Sequence, residues 1–282
     1  MWRKYLWAFA PFAFKVSAQS DSLPQPVPHD TVSTADIQPV YKLKPKTDLP
    51  IMAVGSAWSL YAFTKIYSKD TSTRAQILAL DKDNIPGFDR WATKYYSEQT
   101  YHSGDELFYG AMPLPLVVGL IDGKIRKDYF KMAYLYWQTM SITGLLYTGS
   151  TYFTNRYRPY AYNPEVPMSA RQRGGAKNSF FAGHVALVAS STFFTASVLD
   201  HYHPDSKLRW VYYAVAGAAT ATVAYKRLRA GQHFPSDILL GIAQGTLTGL
   251  LVPRVHRVKP DPRLSIFAVP GEKSTLTVVY RF

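Results

Sequence analysis

The 282-residue chain contains no cysteine, which excludes disulfides, cysteine nucleophiles and cysteine-ligated zinc or iron–sulfur sites. Acidic residues are also scarce: 19 Asp and Glu stand against 32 Lys and Arg. The resulting formal charge of +13 suits an anionic partner, whether nucleic acid, a membrane surface or a phosphorylated substrate. Long uncharged runs are few. Six stretches stand out between Ile51 and Arg254, at 51–64, 107–121, 132–154, 178–199, 210–225 and 238–253. Their lengths are those of helices, yet only 132–154 and 178–199 pass the roughly 18 residues that make a segment a candidate to cross a bilayer unaided. The mean hydropathy is slightly negative. Aromatic residues are abundant, at 15% with 21 Tyr and 6 Trp, and would suit a lipid–water boundary or a Tyr-rich soluble core.

The chain reads as four segments. Arg3 and Lys4 precede an apolar run from Tyr5 to Phe14, and Val16-Ser17-Ala18 supplies a cleavage site, so 1–18 reads as an export signal, with an uncleaved amphipathic anchor as the alternative. Residues 19–50 carry six prolines and no helical or strand period, the pattern of an extended linker. Residues 51–258 form the helical domain, and 259–282 contain two strand-like runs around Pro270-Gly271-Glu272-Lys273, the pattern of a hairpin. The expected fold is all-α: a bundle of about six helices, embedded in a membrane, with a short C-terminal β-hairpin. A buried soluble bundle is the competing reading.

Three segments at the ends of the expected helices concentrate the chemistry. Arg156-Tyr157-Arg158-Pro159 follows 132–154, Phe181-Ala182-Gly183-His184 opens the next helix, and Arg227, His233 and Asp237 join the last two. If consecutive helices run antiparallel, the connections 155–178 and 226–237 share one end of the bundle. Arginine forks match phosphate oxygens, and Gly183 lets a backbone amide approach an anion at a helix start. One histidine can attack phosphorus while a protonated one donates to the departing oxygen. Asp237, four residues after His233, is placed to accept from one of its ring nitrogens. Taken singly, each segment also fits helix-end charges or a surface His–Asp pair. A metal site is disfavoured because the arginines would repel a cation.

Together, Arg158-Pro159, Gly183-His184, and Arg227 with His233 and Asp237 resemble the three signature motifs of the type-2 phosphatidic acid phosphatase and vanadium haloperoxidase superfamily, in order and internal spacing, over roughly residues 80–255. The resemblance implies a helical bundle and a cofactor-free, metal-independent phosphatase. In it His233 is the phosphohistidine nucleophile, His184 the general acid and Asp237 the orienting acid, with Arg158, Arg227 and Gly183 binding phosphate. It also implies a lipid phosphate or pyrophosphate as substrate, a membrane as partner and no nucleic acid. Three departures stand out. Thr151 occupies the position of a usual lysine, for which Arg156 is expected to compensate as a further phosphate ligand. Phe181-Ala182 replaces Pro-Ser, and Lys226 replaces a serine, adding a charge. Losing one donor to a charged group costs about 1.5–3 kcal/mol, which slows turnover without abolishing it. Basic residues at 124–131 and 254–263 favour a cytoplasmic side there. Five spans, with 51–64 lying against the bundle or surface, then place the protein in the inner membrane with its site facing the periplasm. A soluble exported acid phosphatase of broad specificity and a catalytically dead phospholipid-binding protein are the alternatives.

Overall fold

The computed structural model describes residues 39–258, 264–269 and 275–280. The expected export signal and residues 19–38 of the expected linker lie outside the described residues. The chain divides into two compact units, Leu43–His256 and a smaller one drawn from the two chain ends. In the smaller unit Tyr41 and Arg257 form an isolated antiparallel bridge. Strand β1 (Leu264–Val269) pairs antiparallel with β2 (Thr275–Tyr280), Leu264 opposite Tyr280 and Val269 opposite Thr275.

The larger unit is helical. Its elements are α1 (Pro45–Tyr67), α2 (Arg74–Leu78), α3 (Gly87–Arg90), α4 (Glu98–Ala111), α5 (Leu114–Ile121), α6 (Tyr129–Phe153), α7 (Met168–Arg171), α8 (Gly183–Tyr202), α9 (Arg209–Arg229) and α10 (Pro235–His256). The expected count of about six omits the short helices α2, α3 and α7 in the long connections and takes α4 and α5 as the one stretch 107–121. Helix α1 begins at Pro45, not at 51. Proline in the first turn costs no hydrogen bond, and the Asp48 carboxylate accepts from the Lys44 amide at 2.7 Å, so the end of the expected linker is already helix. This helix packs along α6: a Cβ on Gly55 would lie 2.7 Å from the Ser141 carbonyl oxygen, and the Ser56 and Ser141 hydroxyls are 3.0 Å apart.

Helix α8 is the core of the unit and is buried on nearly all sides. It rests on α10 through Gly241, Gly245 and Gly249, spaced four apart on one face. A Cβ at these positions would meet the carbonyl oxygens of Ala182, Ala186 and Ser190 at 2.7, 2.1 and 2.7 Å, so the two backbones are in direct contact. This contact also fixes the two helix starts beside each other, with the Ala182 amide donating to the Asp237 carbonyl at 3.2 Å.

Among the described residues, the segments long and apolar enough to cross a membrane are the α4–α5 stretch Glu98–Ile121 and α10. The expected pair, 132–154 and 178–199, is therefore corrected. Those stretches are uncharged but rich in hydroxyls that bond inside the bundle: Thr143 and Ser190 lie 2.7 Å apart, and Ser191 donates to the Ala111 carbonyl at 2.6 Å.

Candidate active site

Three backbone contacts assemble the site. Past the end of α6 the chain runs extended beside 176–179, with the Arg158 amide donating to Ala176 O at 2.7 Å and the Ser179 amide to Arg156 O at 3.0 Å. The Tyr160 amide donates to Gly231 O at 3.1 Å, joining the first connection to the loop after α9. Gly231 has φ +68° and faces Tyr95 O where a Cβ would lie, at 2.2 Å, so both the backbone conformation and the space require glycine. The expected convergence of 155–178 with 226–237 is thus present.

His233 sits in this loop and is 2% exposed. Its Nδ1 lies 2.7 Å from the Ser179 carbonyl. A carbonyl can only accept, so Nδ1 carries the proton and the Nε2 lone pair is left unprotonated. Burial, reinforced by Arg158, holds the ring well below its ordinary pKa, which keeps it neutral and nucleophilic.

Asp237 was expected to accept from this ring, and it does not. One carboxylate oxygen accepts from the Ser179 hydroxyl at 2.7 Å and the Phe234 amide at 3.0 Å; the other pairs with Arg156. Its hold on His233 passes through Ser179, whose hydroxyl it anchors and whose carbonyl receives Nδ1. Arg156 likewise departs from its expected role as a phosphate ligand. Its guanidinium bridges Asp237 and Asp89, the latter at 2.6 Å, donates to Ser236 Oγ at 3.0 Å, and lies 4.4 Å over the Phe234 ring. Asp89 also accepts from the Ser236 amide at 2.9 Å and its hydroxyl at 2.6 Å, tying α3 to the first turn of α10.

Arg158 and Arg227 face the interior. Arg158 donates to the Gln232 side chain, and its Nε is buried without a hydrogen-bond partner. Arg227 is 1% exposed; its Nη2 pairs with Asp105, and its Nε is likewise buried and unpartnered. Two buried arginine donors without protein acceptors are what an oxyanion would satisfy. His184, in the first turn of α8, lies 3.5 Å from Asp105 through Nε2 and packs edge-on against Phe108. Burial, then the charges of Arg227 and Arg158, hold it well below its ordinary pKa. Gly183 is required by packing, since a Cβ there would lie 2.4 Å from the Tyr147 ring. Lys226, expected to add attraction for phosphate, instead donates to Ser103 Oγ at 2.7 Å. Ser179, Asp89, Ser236, Gln232 and Asp105 also belong to the site, and no local sequence pattern marks them.

This arrangement of two arginines with buried Nε atoms and two histidines carries the signature spacing, and residues 132–261 match the family described as the PAP2 superfamily. Residues 132–261 belong to the PAP2 superfamily. It is 32% identical over 108 residues to a lipid A 4'-phosphatase of Porphyromonas gingivalis, a match covering 37% of this chain. The chain spans 42% of the length of that relative. Among solved structures it is similar to a transmembrane PAP2-type phosphatidylglycerolphosphate phosphatase from Bacillus subtilis, with TM-score 0.43, 20% identity and coverage of 74% of this chain and 94% of that one. It is also similar to LpxE of Aquifex aeolicus, with TM-score 0.41, 21% identity and coverage of 58% and 92%. Asp89 and Asp105 both precede the PAP2-matched residues, so two acids of this site come from outside the family's own segment.

Proposed function

We propose that this PAP2 protein is a phosphatase of lipid-linked phosphate that works through a phosphohistidine on His233, at a membrane it enters through α4–α5 and α10. The observation that carries the reading is the pair of buried, unpartnered arginine Nε atoms beside a histidine whose Nδ1 is engaged and whose Nε2 is not. In the first step Nε2 of His233 attacks phosphorus and the bond to the leaving oxygen breaks, that oxygen taking a proton from His184. In the second, water attacks the phosphohistidine, its proton returns to His184, and inorganic phosphate leaves. The two arginines hold the phosphoryl oxygens, where charge builds in the transition state. Burial first, and then the two arginines, hold His184 neutral; the negative charge of an arriving phosphoryl group offsets the arginine charges and so favours the protonated form that the first step needs. The two similar proteins whose printed descriptions name lipid substrates, a lipid A 4'-phosphatase and a phosphatidylglycerolphosphate phosphatase, are consistent with a phosphorylated lipid as substrate. An inner-membrane location with the site facing the periplasm fits the basic residues at 124–131 and 254–258 near the opposite helix ends.

Removing each histidine in turn tests the reading. His233→Ala is expected to abolish turnover of every substrate. His184→Ala is expected to impair a lipid phosphate far more than p-nitrophenyl phosphate, whose leaving oxygen needs little protonation. Wild-type turnover by folded His233→Ala would end the proposal; an equal loss on both substrates in His184→Ala would remove the general-acid assignment.

A further inference from the structure

Helix α4 precedes the PAP2-matched segment, yet one of its faces meets two of the groups on the phosphate side of the site, Arg227 and His184. Tyr101, Gly104, Asp105 and Phe108 follow the i, i+3, i+4, i+7 spacing of a single helix face. The Tyr101 ring lies 5.2 Å from the Arg227 guanidinium, and the Phe108 ring 4.7 Å from that of His184. A Cβ on Gly104 would lie 3.6 Å from Arg227 Nε, so glycine lets the α4 backbone approach the guanidinium closely. The Lys226–Ser103 hydrogen bond fastens the same stretch. Gly104 is the one fully buried residue of α4, so the helix is held most closely along this face. Asp105 is thereby fixed with its carboxylate on Arg227 Nη2 and 3.5 Å from His184 Nε2.

A fixed carboxylate decides which anion the arginines can take. Arg158 and Arg227 attract any oxyanion, and by charge alone they would favour a dianion over a monoanion. An ionised aspartate has no hydrogen to donate. It repels a fully ionised tetrahedral anion, but it accepts a hydrogen bond from a phosphoryl oxygen that still carries a proton. Rejection of the wrong ligand is then built in as an unfavourable contact.

We propose that Asp105 is a specificity-determining residue that admits a phosphoryl group bearing a P–OH, the monoanion of a phosphomonoester or of a terminal pyrophosphate, and rejects anions with no proton to give, such as sulfate and phosphodiesters. This rests on the phosphatase reading of the same site. The test is calorimetric binding of inorganic phosphate and of sulfate to the full-length protein in detergent. It is run at pH about 5, below the second ionisation of a phosphomonoester at about 6 and further below that of inorganic phosphate, so that phosphate keeps its protons and sulfate has none. The wild type is expected to bind phosphate at least about tenfold more tightly than sulfate. Asp105→Asn has the same shape and an N–H to donate, and is expected to bring the two within about twofold. Sulfate binding as tightly as phosphate to the wild type overturns the proposal without recourse to any variant. So does an equal change for both anions in folded Asp105→Asn, which would make Asp105 a counter-ion only. Hydrolysis of p-nitrophenyl phosphate is measured on the same preparation. A wild type that prefers phosphate but hydrolyses nothing would refute the phosphatase reading and leave the assignment of Asp105 standing.

Discussion

Arg156 separates two accounts of the site, because a phosphate ligand and a clamp between carboxylates fail in different ways when removed. In Arg156→Ala the side chains of Asp89 and Asp237, which are 4% and 0% exposed, lose their shared cation. Removing one partner of a buried ion pair costs about 3–5 kcal/mol, because a desolvated charge is left uncompensated. The variant is therefore expected to lose about that much stability in urea unfolding. Asp237 would also cease to be held from the Arg156 side, and its tie to Ser179, which receives the His233 Nδ1 proton, would loosen. A displacement of about 1 Å in a nucleophile can cost about 100-fold in rate, so kcat is expected to fall by that order with KM little changed. Arg156→Lys keeps a charge but cannot bridge both acids as a fork, and should fall between wild type and alanine. In the double variant Asp89→Asn/Arg156→Ala one of the stranded charges is gone, so part of the lost stability should return. Urea melts and steady-state kinetics on the four proteins decide the matter. A raised KM with unchanged kcat and unchanged stability would refute the clamp and restore Arg156 to the phosphate.

Two other expectations follow from the same contacts. Gly245→Val places a Cβ where the Ala186 carbonyl oxygen is 2.1 Å away, so α8 and α10 must separate; a loss of at least about 1–3 kcal/mol is expected, together with lower activity as the starts of the two helices drift apart, and a melt equal to wild type would contradict backbone contact. For pH, the depressed pKa of His233 means that the unfolded chain binds a proton near about 6.5 that the folded chain refuses. Its contribution to stability is complete above pH about 6.5 and declines below it, by roughly 1.4 kcal/mol per pH unit. Replacing His233 with Gln should flatten that acid slope in melts taken between pH about 5 and 7, and an unchanged slope would show that burial does not set the protonation of this ring.

The sequence made the ends of the site legible and left its wiring hidden. Arg158, His184, Arg227, His233 and Asp237 fall at helix ends, so helix parity brings them together without knowledge of any side-chain contact. Ser179 and Asp89 act across separations of 54 and 147 residues, and no local pattern marks them. Asp237 illustrates the limit: four residues after a histidine it looks like a direct partner, but the first turn of α10 turns its carboxylate to the Phe234 amide and the Ser179 hydroxyl instead. Spans were misplaced for a related reason. An uncharged run such as 178–199 can be a core helix whose hydroxyls bond within the bundle, whereas α4–α5 reaches its length only by joining two helices across Met112 and Pro113.

The departures from the PAP2 pattern take on a different meaning once their neighbours are known. Ala182, where serine is usual, belongs to an apolar cluster with Val185, Val188, Val223, Ala224 and Ile238. A hydroxyl there would need a partner inside that cluster, so alanine removes a buried polar group at least as much as it removes a phosphate donor. Thr151, where lysine is usual, is wholly buried and donates to Tyr147 O and Phe180 O, both at 3.0 Å; it anchors the segment entering α8. The nearby cation, Lys69, is spent on the Thr151 and Thr154 carbonyls at 2.8 and 2.7 Å, at the exposed-carbonyl end of α6. Lys226, where serine is usual, fixes α4 through Ser103, and α4 in turn sets Asp105 on Arg227. Two of the three changes therefore give up direct phosphate contacts for structure. The third fastens a neighbouring helix whose acid faces Arg227, one of the two arginines that remain, so on the reading proposed for Asp105 recognition shifts from the number of cations toward the hydrogen-bonding capacity of the anion.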